Sequence, residues 1–140
     1  MREILLFFLI LFFWGCEETS LVEEDLHHLN GYWEITEVTF QDGAEKNYTV
    51  NPSVDFIQLK GTKGYRKKVQ PKFDGTFSTS DDAEVFEVFA INKGFTLQYK
   101  NSLSEREEKL VQLDSISFSV RSEDGILYSY KRFEPISIPK

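Results

Sequence analysis

The sequence contains few of the side chains that carry most metal and nucleophilic chemistry. Its 140 residues include one cysteine and two histidines, His27 and His28, which are adjacent. A single cysteine excludes an intramolecular disulfide, and two neighbouring histidines without further cysteine or histidine ligands are a poor basis for a zinc site. We therefore predict no metal, no other cofactor and no enzymatic activity.

The chain also lacks an excess of positive charge. Lys and Arg total 16 against 23 Asp and Glu, which gives a formal net charge of -7. Proteins that bind nucleic acid rely on clustered Lys and Arg to neutralise phosphates. The charge balance therefore predicts that nucleic acid is not a partner.

No apolar run is long enough to cross a bilayer, which takes about 20 residues as a helix. The run over residues 4–14 instead has the length of the apolar core of a secretory signal. It ends just before Cys16, and two glutamates follow at once. This arrangement favours an anchoring role for Cys16 over a structural or catalytic thiol.

Phe13-Trp14-Gly15-Cys16 resembles the lipobox of bacterial lipoproteins. The resemblance implies that residues 1–15 are a cleaved signal peptide and that Cys16 carries a diacylglycerol thioether and an acylated amine. Three acyl chains would anchor the protein stably in a membrane. Some bacterial lipoproteins carry Asp directly after the lipidated cysteine as an inner-membrane retention signal. This chain has Glu17 at that position, which implies the outer membrane without indicating which leaflet.

A short helix is predicted after the anchor, so that residues 16–30 form a lipidated acidic tether and a helix. Ser20 and Glu23 have the spacing of a capping box, which predicts a helix that begins at Leu21. Its apolar stripe would consist of Val22, Leu26 and Leu29.

From residue 31 to residue 140 the chain alternates short apolar-polar runs with turn residues, such as Asp74-Gly75. This pattern predicts an antiparallel all-β barrel or sandwich of about eight or nine strands. In the first run, Trp33 and Ile35 share one face whereas Val38 and Phe40 share the other. A β-bulge near Glu37 would reconcile the two phases.

Gly31-Tyr32-Trp33, preceded by a short helix, resembles the G-x-W opening of lipocalins. The resemblance implies an antiparallel up-and-down barrel of about eight strands, closed at one end by Trp33 under a basic residue of the last strand. The stretch from Gly31 to Glu134 as a whole resembles small lipocalin-like lipoproteins of the Gram-negative envelope, and the barrel domain is predicted to span residues 31–140. The open alternative is a sandwich in which Trp33 is simply part of the core.

Two basic residues of the last strand could cover Trp33, namely Lys131 and Arg132. Alternation groups Arg132 with Tyr128 and Tyr130, which form the more continuous apolar row. We therefore predict that Arg132 closes the barrel over Trp33.

Two other strands have unusual patterns. Arg66, Lys68 and Lys72 share one face of a basic run, which would either meet an anionic partner or guard an edge strand. In a later strand Phe86 and Val88 share one face, while the opposite face is also apolar through Val85, Phe89 and Ile91. We expect the N-terminal helix or the C-terminal tail to cover that second row.

The resemblance implies a membrane-anchored protein that binds a small apolar or amphipathic ligand inside the barrel. Because the anchor, the short tether, the helix and Trp33 would all lie at the closed end, we expect that end to face the membrane. The alternative is an envelope interaction or structural protein whose barrel is filled by its own side chains, because an eight-stranded interior allows either outcome. The predicted ligand-lining residues are Phe56, Phe73, Phe86, Tyr99, Phe118, Tyr128 and Tyr130.

Overall fold

The computed structural model describes residues 21–49, 51, 53–79 and 82–134. The predicted signal peptide, the lipidation site Cys16, the capping residue Ser20 and the tail at 135–140 lie outside the described residues.

Within that part of the chain, one antiparallel sheet contains ten strands that follow a short 3-10 helix, Glu23–Leu29. The strands are β1 (Gly31–Thr39), β2 (Glu45–Asn47), β3 (Val54–Lys60), β4 (Lys63–Pro71), β5 (Phe77–Thr79), β6 (Glu84–Ile91), β7 (Gly94–Lys100), β8 (Glu105–Leu113), β9 (Ser117–Ser122) and β10 (Leu127–Arg132).

Eight of these strands close into a barrel. The order β1, β3, β4, β6, β7, β8, β9, β10 is a continuous antiparallel ladder, and β10 pairs back with β1. The short strands β2 and β5 pair with β1 and β4 respectively. Closure leaves the main ladder without an open edge. The predicted antiparallel up-and-down all-β barrel of about eight strands with one short N-terminal helix is confirmed.

The predicted bulge lies in β1. Its register with β10 shifts between Ile35 and Glu37, so that Ile35 faces Tyr130 and Val38 faces Tyr128. The inserted residue brings Trp33, Ile35 and Val38 to the same side of the strand. This prediction is confirmed.

The N-terminal helix differs from the prediction in type and in its buried face. It begins at Glu23, and the backbone N–H of Val22 donates to the Asp25 carboxylate at 3.3 Å. Leu26 and Leu29 are buried, whereas Val22 is exposed. A 3-10 helix repeats every three residues, so Leu26 and Leu29 share a face that Val22 does not reach. The prediction for Val22 was wrong because it assumed an α-helical period.

The core fills the closed end of the barrel around Trp33, which is fully buried. Its indole N–H donates to the carbonyl of Leu29 at 2.8 Å, which ties the helix to the barrel. Phe118 meets the indole edge-on at 4.7 Å between ring centroids and stacks on Tyr130 at 4.6 Å. Rings in these arrangements pack favourably beyond the area that they bury.

Arg132 lies over this core. Its guanidinium carbon is 3.8 Å from the Trp33 ring centroid. It also donates to the carbonyls of His28 at 2.9 Å and Asn30 at 2.5 Å, and to that of Ser115 at 3.1 Å. One side chain therefore joins the helix, the β8–β9 loop and the indole.

The glycine of the G-x-W motif makes room for this arginine. Gly31 has φ +122, and a Cβ atom there would come within 2.5 Å of Nη1 of Arg132. Lys131 points outward instead and forms an ion pair with Glu34 at 3.0 Å. The structure thus gives Arg132, not Lys131, the closing position.

The outer apolar row of β6 remains exposed, by 58% at Val85, 39% at Phe89 and 46% at Ile91. The 3-10 helix contacts β3 and β8 instead. The expectation that this helix covers the row was wrong, because its buried leucines are committed to the closed end of the core. The alternative cover, the tail at 135–140, lies outside the described residues.

We predict that Arg132→Lys lowers the free energy of unfolding by about 1–2 kcal/mol, because lysine loses both planar stacking on the indole and the forked donation to several carbonyls. Urea denaturation followed by circular dichroism would measure the change. Arg121→Lys is the matched control, since Arg121 is exposed on the neighbouring strand β9. Equal stability of the two variants would contradict the closing role of Arg132.

Candidate ligand-binding cavity

A cavity of about 670 Å³ occupies the end of the barrel opposite Trp33. It is bounded by the end of β4, the beginnings of β6 and β8, and the turn that connects β9 to β10. Tyr128 and Tyr130 contribute aromatic surface, and charged side chains form most of the remaining wall. The barrel is therefore filled at one end and hollow at the other.

The base of this cavity is a buried ion network centred on Arg66. Its Nη2 donates to the Asp55 carboxylate at 2.6 Å, and its Nη1 donates to the Tyr99 hydroxyl at 3.3 Å. The same Nη1 lies 3.8 Å from Oε1 of Glu108, and the guanidinium carbon lies 5.0 Å from the Tyr130 ring centroid. Asp55, Arg66 and Glu108 are each less than 9% exposed.

A second arginine extends the network toward solvent. Arg106 donates to Oε1 of Glu108 and to Glu84, both at 2.8 Å, and lies 4.1 Å from the Tyr99 ring centroid. Lys68 contacts the remaining oxygen of Asp55 at 3.3 Å. Three carboxylates and three cations thus neutralise one another, which is the condition under which buried charges persist.

Strand alternation explains how these charged groups reach the interior. Asp55 is in phase with Ile57 and Leu59 on β3, and Glu108 is in phase with Leu110 on β8. The strand register places Arg66 beside both neighbouring strands, because it pairs with Ile57 on β3 and with Glu84 on β6. Gly64 precedes Arg66 on the inner face, and its missing side chain leaves space for the Phe86 ring.

The network shifts the pKa of its members in opposite directions. Burial alone would raise the pKa of Asp55, but attraction and hydrogen bonds from Arg66 and Lys68 outweigh it and hold the pKa below its usual value. Burial likewise works against the charge of Arg66, while Tyr99, Tyr130, Asp55 and Glu108 raise its pKa. Both groups remain charged at neutral pH.

The two buried phenols remain protonated. Burial raises the pKa of Tyr99 to about 12 despite the attraction of Arg66. Burial also raises the pKa of Tyr130. They therefore act as neutral hydrogen-bonding groups at the base of the cavity.

The predicted basic face is not a face of the outer surface. Arg66 is buried inside the barrel and Lys68 lies at the mouth on the same side, whereas Lys72 is exposed in the turn after β4. The edge-strand alternative was also wrong, because β4 is paired with β3 and β6. Both interpretations assumed that charged residues on a strand face solvent, and the inward carboxylates reverse that preference here.

Two of the predicted ligand-lining residues lie outside the barrel. Phe73 is 85% exposed in the turn between β4 and β5. Phe56 alternates with the inward residues Asp55 and Ile57, and its ring packs on the outer surface against Tyr32 at 4.9 Å. These predictions were wrong because Phe73 lies in a turn rather than in a strand, and because the interior phase of β3 consists of Asp55, Ile57 and Leu59 instead of Phe56.

The other five predicted residues face the interior, but at two levels. Phe86, Tyr99 and Phe118 belong to the packed core. Tyr128 and Tyr130 also line the cavity. Sequence reasoning missed Asp55, Glu84, Arg106 and Glu108; for Asp55 and Glu108 the signal was present, since each alternates in phase with buried aliphatic residues.

A smaller cavity of about 430 Å³ adjoins the first and shares Asp55, Lys68 and Tyr130 with it. It lies where β1 leaves β3, since their pairing covers only Gly31 to Trp33. The hollow end of the barrel therefore extends sideways toward the wall between β1 and β3.

Among the residues that the structure describes, no group of three or more His, Cys, Asp or Glu side chains is arranged to hold a metal ion. Over the same residues, no helix has the length and apolarity that a membrane span requires.

We predict that Asp55→Asn lowers the free energy of unfolding by about 3–5 kcal/mol, because it removes the main counter-charge of a buried guanidinium. Asp124→Asn changes the net charge equally in an exposed turn and is the control. Urea denaturation at neutral pH measures both variants. A loss no larger than that of the control would contradict the structural role of the network.

The stability difference between the wild type and Asp55→Asn should also depend on pH. A carboxyl group whose folded-state pKa is depressed contributes stability above its unfolded pKa of about 3.9, and that contribution is lost as the pH falls through the folded value. The stability difference between wild type and Asp55→Asn should therefore be constant near neutral pH and shrink below about pH 4. A difference that widens in acid would contradict the depressed pKa of Asp55.

Comparison with known proteins gives structural similarity only. No protein-family model matches the chain, and no curated protein sequence is significantly similar to it. A lipocalin-like protein from Bacteroides uniformis aligns with a TM-score of 0.48 at 12% identity, over 76% of this chain and 99% of that one. Lobster apocrustacyanin A1 aligns with a TM-score of 0.43 at 12% identity, over 79% of this chain and 63% of that one. Apocrustacyanin C1 aligns with a TM-score of 0.47 at 11% identity, over 81% of this chain and 66% of that one.

Proposed function

We propose that this protein is a lipid-anchored, lipocalin-like protein of the outer membrane that binds one small amphipathic molecule in the hollow end of its barrel. The observation that carries the proposal is the cavity of about 670 Å³ above a filled core. Its volume is within the range of about 300–1,000 Å³ that small-molecule sites occupy.

The wall of the cavity favours an amphipathic ligand over a wholly apolar one. Tyr128 and Tyr130 offer ring surface, whereas Glu84, Arg106 and Glu108 offer charged groups nearby. A wholly apolar molecule would remove water from those charges without replacing its hydrogen bonds, which is costly. A molecule with one polar end avoids that cost.

The membrane anchor and its orientation are part of the proposal. The lipobox-like segment supports lipidation at Cys16, and Glu17 supports the outer membrane. Leu21 packs against the core at the closed end, so the chain enters the barrel there. The mouth would then open away from the membrane, and the ligand would arrive from solution or from a partner.

The competing function is an envelope interaction protein with no ligand. The filled closed end supports it in part, because the Phe118 ring packs edge-on against Trp33 and stacks on Tyr130. The hollow open end supports ligand binding, and the next experiment distinguishes the two.

We predict that mass spectrometry of organic extracts from the natively purified protein detects one co-purifying small molecule in near-stoichiometric amount. Ser122→Trp should abolish it, because Ser122 lines the cavity and indole would fill the space. Arg121→Trp places the same indole at the exposed neighbouring position and is the control. The same extract from both variants, or none from the wild type, would favour the filled-barrel function.

Anchoring is tested separately. Cys16→Ser should yield an unprocessed precursor that takes up no radioactive fatty acid, because the acceptor thiol is absent. Fractionation should place the wild-type protein in the outer membrane. Labelling that survives the substitution, or recovery in the inner membrane, would contradict this part of the proposal.

A further inference from the structure

The mouth of the cavity carries an excess of negative charge. Its described lining includes seven acidic side chains and only four basic ones. The three cations Arg66, Lys68 and Arg106 are already engaged by Asp55, Glu84 and Glu108. The uncompensated carboxylates therefore belong to the rim, which consists of Asp82, Glu107, Glu123 and Asp124 with Lys67.

Beneath this rim lies the buried carboxylate of Glu108, which retains one oxygen without a contact to either arginine. It is only 5% exposed, and both arginines contact the same oxygen, Oε1. No hydrogen bond or ion pair from a described residue reaches Oε2. Among the described residues, every polar side-chain atom that is fully enclosed has a hydrogen-bond partner. Glu108 lines the cavity, and Oε2 is the carboxylate oxygen that neither arginine contacts, so it is available to accept a hydrogen bond from a ligand there.

We infer that the ligand carries a cationic, hydrogen-bond-donating head group, such as a primary ammonium, which donates to Oε2 of Glu108 while its apolar part lies against Tyr128 and Tyr130. This inference rests on the proposed function and names its ligand class. The acidic rim attracts such a cation and raises its local concentration at the mouth. The buried carboxylate then holds it by a charge-assisted hydrogen bond.

An anionic head group fits the same cavity less well. It would have to pass the rim carboxylates before it reached Arg66, whose nearest anion, Asp55, is already 2.6 Å away. Displacing Asp55 would leave that carboxylate buried without its main partner, which is strongly unfavourable. The arrangement thus selects against anions as well as for cations.

The test is isothermal titration of the full chain, in a mild nonionic detergent, with three probes that share an aromatic body: 3-phenylpropylammonium, 3-phenylpropan-1-ol and 4-phenylbutanoate. The ammonium probe should bind at least about tenfold more tightly than the alcohol, and the carboxylate least tightly, since hydrogen bonds to charged groups exceed neutral ones in strength. If the carboxylate probe bound most tightly, the inference about a cationic head group would be overturned, but the proposed ligand-binding function would stand. Failure of all three probes to bind would overturn the inference as well, whereas the proposed function itself stands or falls with the co-purification experiment.

Glu108→Gln should weaken binding of the ammonium probe by about 10- to 100-fold and should change binding of the alcohol little. The matched control is Glu105→Gln, the same charge change at an exposed residue of β8 whose side chain bonds to Gln98 outside the cavity. Equal weakening by both variants would overturn the role of Glu108.

A second variant does not depend on the buried network, in case Glu108→Gln fails to fold. Glu123→Gln combined with Asp124→Asn changes only exposed rim residues. It should weaken the ammonium probe several-fold at low ionic strength and much less at high salt, because exposed charges are screened. Unchanged affinity at low salt would overturn the contribution of the rim.

Discussion

The buried guanidinium of Arg66 is the constraint on which the rest of the structure depends. A charge inside a barrel is tolerated only when its partners are fixed around it. Here the partners of Arg66 on β4 come from four other strands: Asp55 on β3, Tyr99 on β7, Glu108 on β8 and Tyr130 on β10. The network therefore ties opposite walls of the barrel together. It also divides the interior, because apolar packing stops at this level and a hollow, charged compartment begins above it.

A second arginine, Arg132, stabilises the closed end of the barrel in a different way. Arg132 is only partly shielded from water, and burial lowers its pKa without removing its charge. Its partners are backbone carbonyls and an indole rather than carboxylates. Carbonyls at the end of a short helix and in a loop need donors, and one planar group supplies several. The two arginines thus stabilise opposite ends of one barrel, one by ion pairing and the other by capping.

Strand alternation made much of the fold predictable from sequence. The bulge followed from the phase change between Ile35 and Val38, and the inward position of Arg132 followed from its alternation with Tyr128 and Tyr130. The base of the cavity was missed because charged residues on strands ordinarily face water, so Arg66 was assigned to the surface. Only the spatial pairing of β3, β4 and β8 shows that Asp55 and Glu108 neutralise it, and sequence alone does not give that pairing.

Our central claim is that the compartment above the Arg66 network is a binding site rather than an incidental gap. A crystal structure of the natively purified protein, without added ligands, tests this claim most directly. The account predicts continuous, elongated electron density between Tyr128 and Glu108 that protein atoms and ordered water cannot explain. A compartment filled by rim side chains, or one that contains water alone, would contradict it.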